Sequence, residues 1–552
     1  MPLSPKLLIL TALLGVAWAH DAEADRKTVC SITVNSPDEQ AVFRRSLPPE
    51  KFQFVELVEP GRPDWLASAC RRQIRCDVLV ISGHYDGGNE FFSDRIEGSE
   101  FLPVDEMARA ACSDSCPGLF SHLKEVYLFG CNTLNPSANR SASAEIERSL
   151  VRSGYSQADA ERLGRVLAMR HGESSRDRMR LIFTNVPAIY GFSSVAPVGP
   201  LAAAILNRHF QADGTDEVGS GRASSRLLAQ FRSHAMVVTR GMSDVDPLAA
   251  YRQDTCQFAD DRLSVAQKLE FVHRLLGREM AETRLFLDSI EEYVASLSER
   301  ERHSPAIASA LDEIASDWEA RARYLDFARD ADELSIRVRM TRLAHRIGWL
   351  SAVELRAELM QTIKQQLARD AVGAGDLELI CSLNDSRELD QELHRLQLSP
   401  AEVTRTDRAA VLACLGSADG HARVLQALTS ADDAEVEIAQ IYLYHRPITD
   451  VNELRIVSKG IARMSNSPAQ IRAIDTLAHH RLWDRQSLDE LIRLFSQTRT
   501  IGVQTAIAGA LIRADYRALA KPELTETLQQ NRLKTSPSED LIDVLIRRLR
   551  VP

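Results

Sequence analysis

The fold is decided by two short apolar stretches, Val78-Leu79-Val80-Ile81-Ser82-Gly83-His84 and Glu125-Val126-Tyr127-Leu128-Phe129-Gly130-Cys131-Asn132-Thr133. Each is rich in β-branched or aromatic residues, which predicts a buried strand. Similar blocks lie at 30–34, 52–58 and 181–189. Helix-length stretches alternate with these blocks, at 38–45, 65–72, 144–151 and 158–169. Strands that alternate with helices predict an α/β domain over 28–255, with a mostly parallel sheet flanked by helices.

Beyond residue 260 the apolar residues follow a helical period, and strand-forming blocks are rare. Helices are predicted at 263–276, 280–297, 306–328 and 352–367. This all-α half divides into a helical domain at 260–400 and a set of helical repeats at 401–552. The pairs Val436/Ala439, Ile471/Ile474 and Val503/Ala506 recur at a period of about 33 residues, which is typical of HEAT-like repeats. A non-repetitive helical bundle is the alternative.

The first residues have the layout of a secretory signal peptide. Lys6 precedes an apolar run at 7–18, and Ala17-Trp18-Ala19 is a small-residue cleavage pattern. We expect a signal peptide at 1–19 and an exported protein, periplasmic or secreted, with an uncleaved anchor as the alternative. No later segment approaches the roughly 20 apolar residues of a membrane helix, so no membrane span is expected after cleavage.

The charges argue against nucleic acid as a partner. The formal net charge is −10, positive and negative residues are mixed along the chain, and no basic run stands out. The apolar fraction of 44% is ample for buried cores, so disorder should not dominate.

Nine cysteines favour disulfide pairing in an oxidising compartment. Closeness in sequence suggests Cys70/Cys76, Cys112/Cys116 and Cys381/Cys414, although the sequence does not define the connectivity. Because nine is odd, at least one cysteine is left over, and we expect it to be Cys131. Cys112 and Cys116 with His122 could instead bind a metal, but no second ligand pair has suitable spacing. No metal and no cofactor are therefore predicted.

His84 and Cys131 each follow one of the two apolar stretches. In a parallel sheet both would lie at the carboxyl edge, where α/β folds bind ligands, and neighbouring strands are about 5 Å apart. A nearby imidazole favours the thiolate form of a cysteine, which is its nucleophilic form. Gly83 and Gly130 leave room for a substrate backbone. Taken singly, a His or a Cys after a strand is more often structural, so the prediction depends on the pair.

The two stretches resemble the cysteine peptidase clan of caspases, metacaspases, gingipains, clostripain and separase, with their CHAT-domain relatives. That clan has a hydrophobic strand ending in His-Gly, then a later hydrophobic strand ending in a small residue and Cys. Here the motifs are Ile81-Ser82-Gly83-His84 and Leu128-Phe129-Gly130-Cys131. The segment Ile189-Tyr190-Gly191-Phe192-Ser193-Ser194-Val195-Ala196-Pro197 resembles the substrate-side strand and loop of the clan. The resemblance covers roughly residues 28–215.

The resemblance implies a role for each residue that matches the clan's pattern. Cys131 would be the nucleophile and His84 the general base and acid, with no third catalytic residue required. The backbone N–H groups of Tyr85 and Cys131 would form the oxyanion hole. Tyr85 replaces the clan's Gly after the catalytic His, but its N–H can still donate. The implied substrate-binding residues are Gly83, Gly130, Tyr190 and Ser193.

The resulting hypothesis is an exported cysteine endopeptidase that acts through an acyl-enzyme, with a protein or peptide as substrate. The helical repeats would bind a further protein partner. Acidic residues after His84, namely Asp86, Glu90, Asp94 and Glu97, could line a pocket for a basic side chain. One alternative is a catalytically inactive caspase-like domain that acts as a binding scaffold. Another is a purely structural domain in which Cys131 is oxidised to a neighbouring cysteine.

Overall fold

The computed structural model describes most of the chain, and its described residues form two compact units whose boundary lies between Ala320 and Arg321. The described ranges are 26–57, 65–85, 87, 90–94, 100–137, 143–152, 154–170, 174–368, 371–396, 404–480, 484–514, 522–533 and 540–550. The predicted signal peptide at 1–19 lies outside these ranges. The predicted four-part division stays a prediction.

The first unit contains a six-stranded, mostly parallel sheet, as predicted. The strands are β1 Lys27–Thr33, β2 Phe52–Glu56, β3 Val78–Ser82, β4 His84–Tyr85, β5 Glu90–Phe92, β6 Phe101–Pro103, β7 Glu125–Phe129, β8 Ala188–Phe192 and β9 Met236–Thr239. The order in the large sheet is β2-β1-β3-β7-β8-β9, and only the last pairing is antiparallel. The three short strands β4 to β6 form a separate antiparallel sheet.

Helices follow most of the strands, and further helices come after the last strand along the chain. They are α1 Asp38–Ser46, α2 Trp65–Arg71, α3 Val104–Cys112, α4 Pro117–Phe120, α5 Ser143–Arg152, α6 Gln157–Arg170, α7 Ser175–Ile182, α8 Gly199–Gln211, α9 Ser225–Gln230, α10 Ala249–Ala259, α11 Val265–Leu276, α12 Met280–Leu285, α13 Leu287–Ser296, α14 Glu299–Arg302 and α15 Pro305–Ser316. The next helix, Trp318–Asp330, spans the boundary between the units.

Both faces of the large sheet are buried, which explains why its strands read as continuous apolar runs. Successive side chains of a strand point to opposite faces. On β3, Leu79 and Ile81 pack with residues of α3 and α7, whereas Val78 and Val80 pack with residues of α1 and α8. The helices therefore cover the sheet from both sides and leave its carboxyl edge to the loops.

The strand predicted at 181–189 is wrong in its first half. Ser175–Ile182 is a helix, and strand β8 begins only at Ala188. The hydroxyl oxygen of Ser174 caps this helix by accepting the backbone N–H of Asp177. Of the apolar residues that suggested a strand, Ile182 lies on the buried face of α7, whereas Phe183 and Val186 are buried in the connection between α7 and β8.

The helices predicted at 280–297 and 306–328 are each two helices. The first breaks at Phe286 and the second at Asp317. Asp317 accepts the backbone N–H of Ala320, so its side chain starts a new helix where the apolar period alone suggested continuity.

Four disulfides join eight of the nine cysteines, and Cys131 is the free one, as predicted. Cys381–Cys414 also pairs as predicted. The pairings Cys70/Cys76 and Cys112/Cys116 are wrong: the bonds are Cys30–Cys76, Cys70–Cys116 and Cys112–Cys256. The physical reason is that a disulfide joins cysteines on elements that pack together, such as α3 and α10, and these cysteines need not be close in the sequence.

The second unit is entirely helical in its described residues. Its helices are Leu334–Arg346, Ala352–Leu367, Ala374–Leu383, Thr406–Cys414, Ala418–Ala427, Asp433–His445, Val451–Ile461, Ser467–His479, Arg485–Gln497, Ile501–Arg513, Pro522–Asn531 and Leu541–Arg550, with a 3₁₀ helix at Glu388–Arg395. Three of them begin after the N-caps Asp432, Asn466 and Thr500, which are 34 residues apart.

The spacing of 34 residues is close to the predicted period of about 33 residues. The residues predicted to be equivalent, however, do not occupy the same position in their helices. Counted from the N-caps, the equivalents of Val436 are Gln470 and Gln504, so the predicted positions Ile471 and Val503 are each one residue out. Gln470 and Gln504 are buried, and each donates to the last turn of the preceding helix, at Ile461 and Phe495 respectively. The same contact thus recurs in successive helix pairs. Membership of the HEAT class stays a prediction.

Among the described residues, no helix is both long and apolar enough to cross a membrane.

The disulfides bear on the expected export. Four disulfides are compatible with an oxidising compartment, where such bonds persist.

Candidate functional site

The strands that precede His84 and Cys131 are direct neighbours in the sheet. β3 and β7 run parallel, with Ser82 opposite Phe129 at their carboxyl ends. The pairing extends one residue further, because the N–H of Gly83 donates to the carbonyl of Phe129 at 3.0 Å. His84 follows Gly83 directly, and Cys131 is the second residue after Phe129. The structure therefore brings the two segments together at the carboxyl edge of the sheet.

Gly130 holds these segments in close contact. A Cβ atom at Gly130 would lie 2.9 Å from the carbonyl oxygen of Gly83 and 3.0 Å from the Cβ of Tyr85. Both distances are too short for a side chain. Gly83 is also confined, since its Cβ would lie 3.0 Å from that of Val34. The two glycines thus serve close packing of the site's own backbone, in addition to any room they leave for a substrate.

Cys131 lies in a turn directly after β7, and its side chain is partly exposed. Its Sγ accepts the backbone N–H of Ala196 at 3.3 Å. The next residue, Asn132, has a φ of 58° and donates its N–H to the carbonyl of Ser194 at 2.8 Å. An N–H directed at sulfur stabilises negative charge there. The Cys131 thiol is therefore free and has a backbone N–H directed at its sulfur, and the alternative of an oxidised Cys131 is contradicted.

The turn that carries Cys131 is anchored to β8 by Thr133. The hydroxyl of Thr133 donates to the carbonyl of Gly130 at 3.2 Å and accepts the N–H of Phe192 at 3.1 Å. The N–H of Leu134 donates to the carbonyl of Phe192 at 3.0 Å. Thr133 is fully buried. Sequence reasoning missed this anchor, because a threonine after a strand carries no distinctive signal.

His84 belongs to the small antiparallel sheet, where it lies opposite Phe92. The centroid of its ring is 5.4 Å from that of Phe92. Its Nε2 atom lies 3.4 Å from Oδ2 of Asp94. The sequence suggests Asp94 only as part of an acidic loop, and its contact with His84 depends on the antiparallel pairing of β4 with β5, which places Phe92 opposite His84.

Tyr85 is buried, and its ring lies 4.8 Å from that of Phe91, which it opposes in the small sheet. The replacement of the clan's Gly by Tyr85 therefore adds an aromatic side chain to the core rather than to the site surface. The predicted oxyanion roles of the Tyr85 and Cys131 backbone N–H groups stay predictions.

Tyr190 and Ser193 occupy different environments. The hydroxyl of Tyr190 accepts the N–H of Ser224 at 2.8 Å and donates to the carbonyl of Arg222 at 3.1 Å. Its ring stacks on Tyr127, and burial raises its pKa to about 12. Ser193 is partly exposed and donates its hydroxyl to the carbonyl of Ala235 at 3.2 Å. The side chain of Tyr190 has a packing role, and substrate binding by either residue stays a prediction.

A buried carboxyl group lies beneath the site. Glu39, on α1, accepts the hydroxyl of Ser82 at 3.1 Å, and Ser82 is two residues before His84. Burial raises the pKa of Glu39 to about 7. This group was not predicted, because a Glu in the first turn of a helix is normally exposed.

The other residues considered from the sequence lie elsewhere. Nε2 of His122 lies 2.8 Å from a guanidinium nitrogen of Arg75, at the amino end of β7. Cys112 and Cys116 are in disulfides and are no metal ligands. Within the described ranges, no group of three or more His, Cys, Asp or Glu residues could hold a metal ion. Asp86 and Glu97 of the acidic loop lie outside the described residues.

No protein-family model matches the chain, and no curated protein or solved structure matches it significantly. The functional argument therefore depends on the geometry of His84, Cys131 and their surroundings.

Proposed function

We propose that this protein is an exported caspase-like cysteine endopeptidase with a dyad of Cys131 and His84. One observation carries the proposal. The only free cysteine of the nine follows β7, and the histidine follows the adjacent parallel strand β3, with their flanking residues in contact through Gly130. Three disulfides in the same unit support an oxidising compartment. In such a compartment most cysteines are paired, so the free thiol of Cys131 supports a functional role for it.

In the proposed reaction, His84 takes the proton of the Cys131 thiol and the thiolate attacks the carbonyl carbon of a peptide bond. The tetrahedral intermediate collapses when His84 gives this proton to the leaving amine, which leaves a thioester on Cys131. Water, deprotonated by His84, then hydrolyses the thioester to release the acid and restore the thiol. The N–H of Ala196, which contacts the sulfur, would stabilise the thiolate before attack.

A binding scaffold without catalysis is the second candidate. It is favoured by Tyr85, which stands where the clan has a Gly and packs into the core of the small sheet. On this proposal the helical unit is the main interaction surface, and Cys131 has no special reactivity.

The first test is the alkylation rate of Cys131 by iodoacetamide at neutral pH, measured by mass spectrometry without reductant. We expect rapid, selective labelling in the wild type and labelling at least about tenfold slower in His84→Ala, because the Cys131 thiol loses its proton acceptor and less of it is present as the reactive thiolate. His122→Ala is the matched control, since this exposed imidazole lies at the opposite end of β7. An equal rate in the wild type and His84→Ala would contradict the dyad and favour the scaffold.

The second test is turnover of a peptide library, with Cys131→Ala as the inactive control. Cleavage that requires both Cys131 and His84 would identify the protein as a peptidase. A reactive Cys131 without any cleavage would contradict endopeptidase activity while leaving the dyad in place.

A further inference from the structure

Asp94 is a charged residue that contacts His84. Its Oδ2 atom lies 3.4 Å from Nε2 of His84. We propose that Asp94 is a positioning residue that orients the His84 imidazole and stabilises its protonated form. This inference rests on the proposed function and deepens it, because the clan that the sequence resembles needs no third residue.

The hairpin geometry explains how Asp94 reaches His84. His84 pairs with Phe92 across the small sheet, and Asp94 follows two residues after Phe92. The rings of Phe92 and His84 are 5.4 Å apart and tilted by 32°. One short hairpin therefore supplies both an aromatic neighbour for the imidazole and a carboxylate for one of its nitrogens.

The contact with Asp94 gives the two nitrogens of the His84 ring different roles in the proposal. With Nε2 directed at Asp94, Nδ1 is the nitrogen available to Cys131. When the thiol proton moves to Nδ1, the imidazolium carries hydrogens on both nitrogens, and the Nε2 hydrogen is directed at the carboxylate. The charge of Asp94 favours the thiolate–imidazolium pair over the neutral thiol and imidazole.

The solvent exposure of the His84 and Asp94 side chains limits how strongly Asp94 should change the reactivity of Cys131. The side chains of His84 and Asp94 are 42% and 70% exposed. Solvent screens such a pair, and exposed ion pairs typically change an equilibrium by about two- to fivefold. The effect should weaken further at high ionic strength, because the Debye length falls to about 3 Å in 1 M salt.

The test compares iodoacetamide labelling of Cys131 in the wild type, Asp94→Asn and Asp94→Glu across pH and salt. Iodoacetamide is uncharged, so salt acts on the protein rather than on the reagent. Asp312→Asn is the matched control, since Asp312 is an exposed carboxylate on α15 of the same unit. Hydrogen exchange of β4 and β5 shows whether the hairpin remains folded in each variant.

We expect labelling of Asp94→Asn to be about two- to fivefold slower at neutral pH and low salt, and Asp94→Glu to recover part of the loss. The rates should converge in 1 M NaCl. They should also converge above about pH 9, where a thiolate forms without an imidazolium. A purely structural role for Asp94 would lower the rate at every pH and salt concentration.

The outcomes separate this inference from the proposed function. If His84→Ala slows labelling but Asp94→Asn matches the wild type, the dyad stands and the role of Asp94 is wrong. A slowing in Asp94→Asn that does not depend on salt or pH also overturns the positioning role. If His84→Ala labels as fast as the wild type, the proposed function itself fails.

Discussion

At the scale of single residues, the site depends on a glycine that permits two chain segments to touch. Gly130 has no space for a Cβ, because the carbonyl of Gly83 and the side chain of Tyr85 are too close. Any side chain at this position must push the Cys131 turn away from the His84 strand. The same residue therefore governs both the packing of the carboxyl edge and the geometry of the candidate dyad.

Gly130→Ala should lower the free energy of unfolding of the first unit by about 1–3 kcal/mol, because the atoms it meets are backbone and Cβ atoms that cannot rotate away. Labelling of Cys131 should slow as well. Gly277→Ala is the control, since its Cβ would meet its nearest atoms at 3.5 Å, an ordinary contact. Urea denaturation and iodoacetamide labelling measure the two effects. A variant as stable and as reactive as the wild type would contradict the close approach.

Glu39 makes the stability of the first unit depend on pH. Its pKa is raised by burial from 4.5 to about 7, so the folded protein binds a proton more tightly than the unfolded chain does. The stabilisation is complete below about pH 4.5 and is lost as the pH rises to about 7, an effect of about 3 kcal/mol.

Glu39→Gln should remove this loss, so the free energy of unfolding should fall less between pH 5 and pH 7.5 than it does in the wild type. Urea denaturation at the two pH values measures the difference. Glu50→Gln provides the control, because Glu50 is exposed. The same pH dependence in the wild type and Glu39→Gln would show that Glu39 is not buried as described.

Among the elements of the second unit, a buried glutamine contact recurs in two successive helix pairs, at Gln470 and Gln504. Gln504 is fully buried, and its side-chain amide nitrogen donates to the backbone carbonyl of Phe495 at 3.0 Å and to that of Asn531 at 2.8 Å. Its carbonyl oxygen accepts the N–H of Leu533 at 2.9 Å. One side chain thus satisfies backbone groups at the ends of two neighbouring helices.

Gln504→Ala should lower the free energy of unfolding of the second unit by about 2–4 kcal/mol, because it leaves buried backbone groups unpaired and opens a cavity. The exposed Gln530 bonds Glu526 within one helix, and Gln530→Ala should change stability by less than about 0.5 kcal/mol. Urea denaturation of both variants tests the difference, and equal effects would contradict a special role for Gln504.

At the scale of the whole molecule, the disulfides are distributed unequally between the two units. The first unit contains Cys30–Cys76, Cys70–Cys116 and Cys112–Cys256, whereas the second contains only Cys381–Cys414. A disulfide typically contributes about 2–4 kcal/mol by restricting the unfolded chain. The α/β unit therefore depends more strongly on an oxidising environment than the helical unit does.

Reduction with dithiothreitol should accelerate hydrogen exchange in β1, β3, α2 and α3 more than in the helices of the second unit. Peptide-resolved exchange with and without reductant measures this, and alkylation confirms that all four bonds have been reduced. A uniform increase over both units, or an increase confined to the second, would contradict the unequal dependence.

The class of the fold could be predicted from the sequence, which also singles out His84 and Cys131 as candidate site residues. Apolar runs such as Val78–Ser82 reveal buried strands because both faces of a parallel sheet exclude water, and this information is local. The helical period of the second half is local for the same reason, since one face of each helix must be buried. The odd number of cysteines, together with the pair of His84 and Cys131 after two strands and the resemblance that this pair carries, predicted the free thiol.

Only the tertiary structure decided which distant groups meet. The disulfide of Cys112 with Cys256, the contact of Asp94 with His84 and the bond of Ala196 to the Cys131 sulfur each join segments brought together by packing. The raised pKa of Glu39 likewise depends on burial beneath the sheet edge. The strand and helix patterns of a sequence indicate which residues are shielded from water. They do not indicate which other segment of the chain shields them.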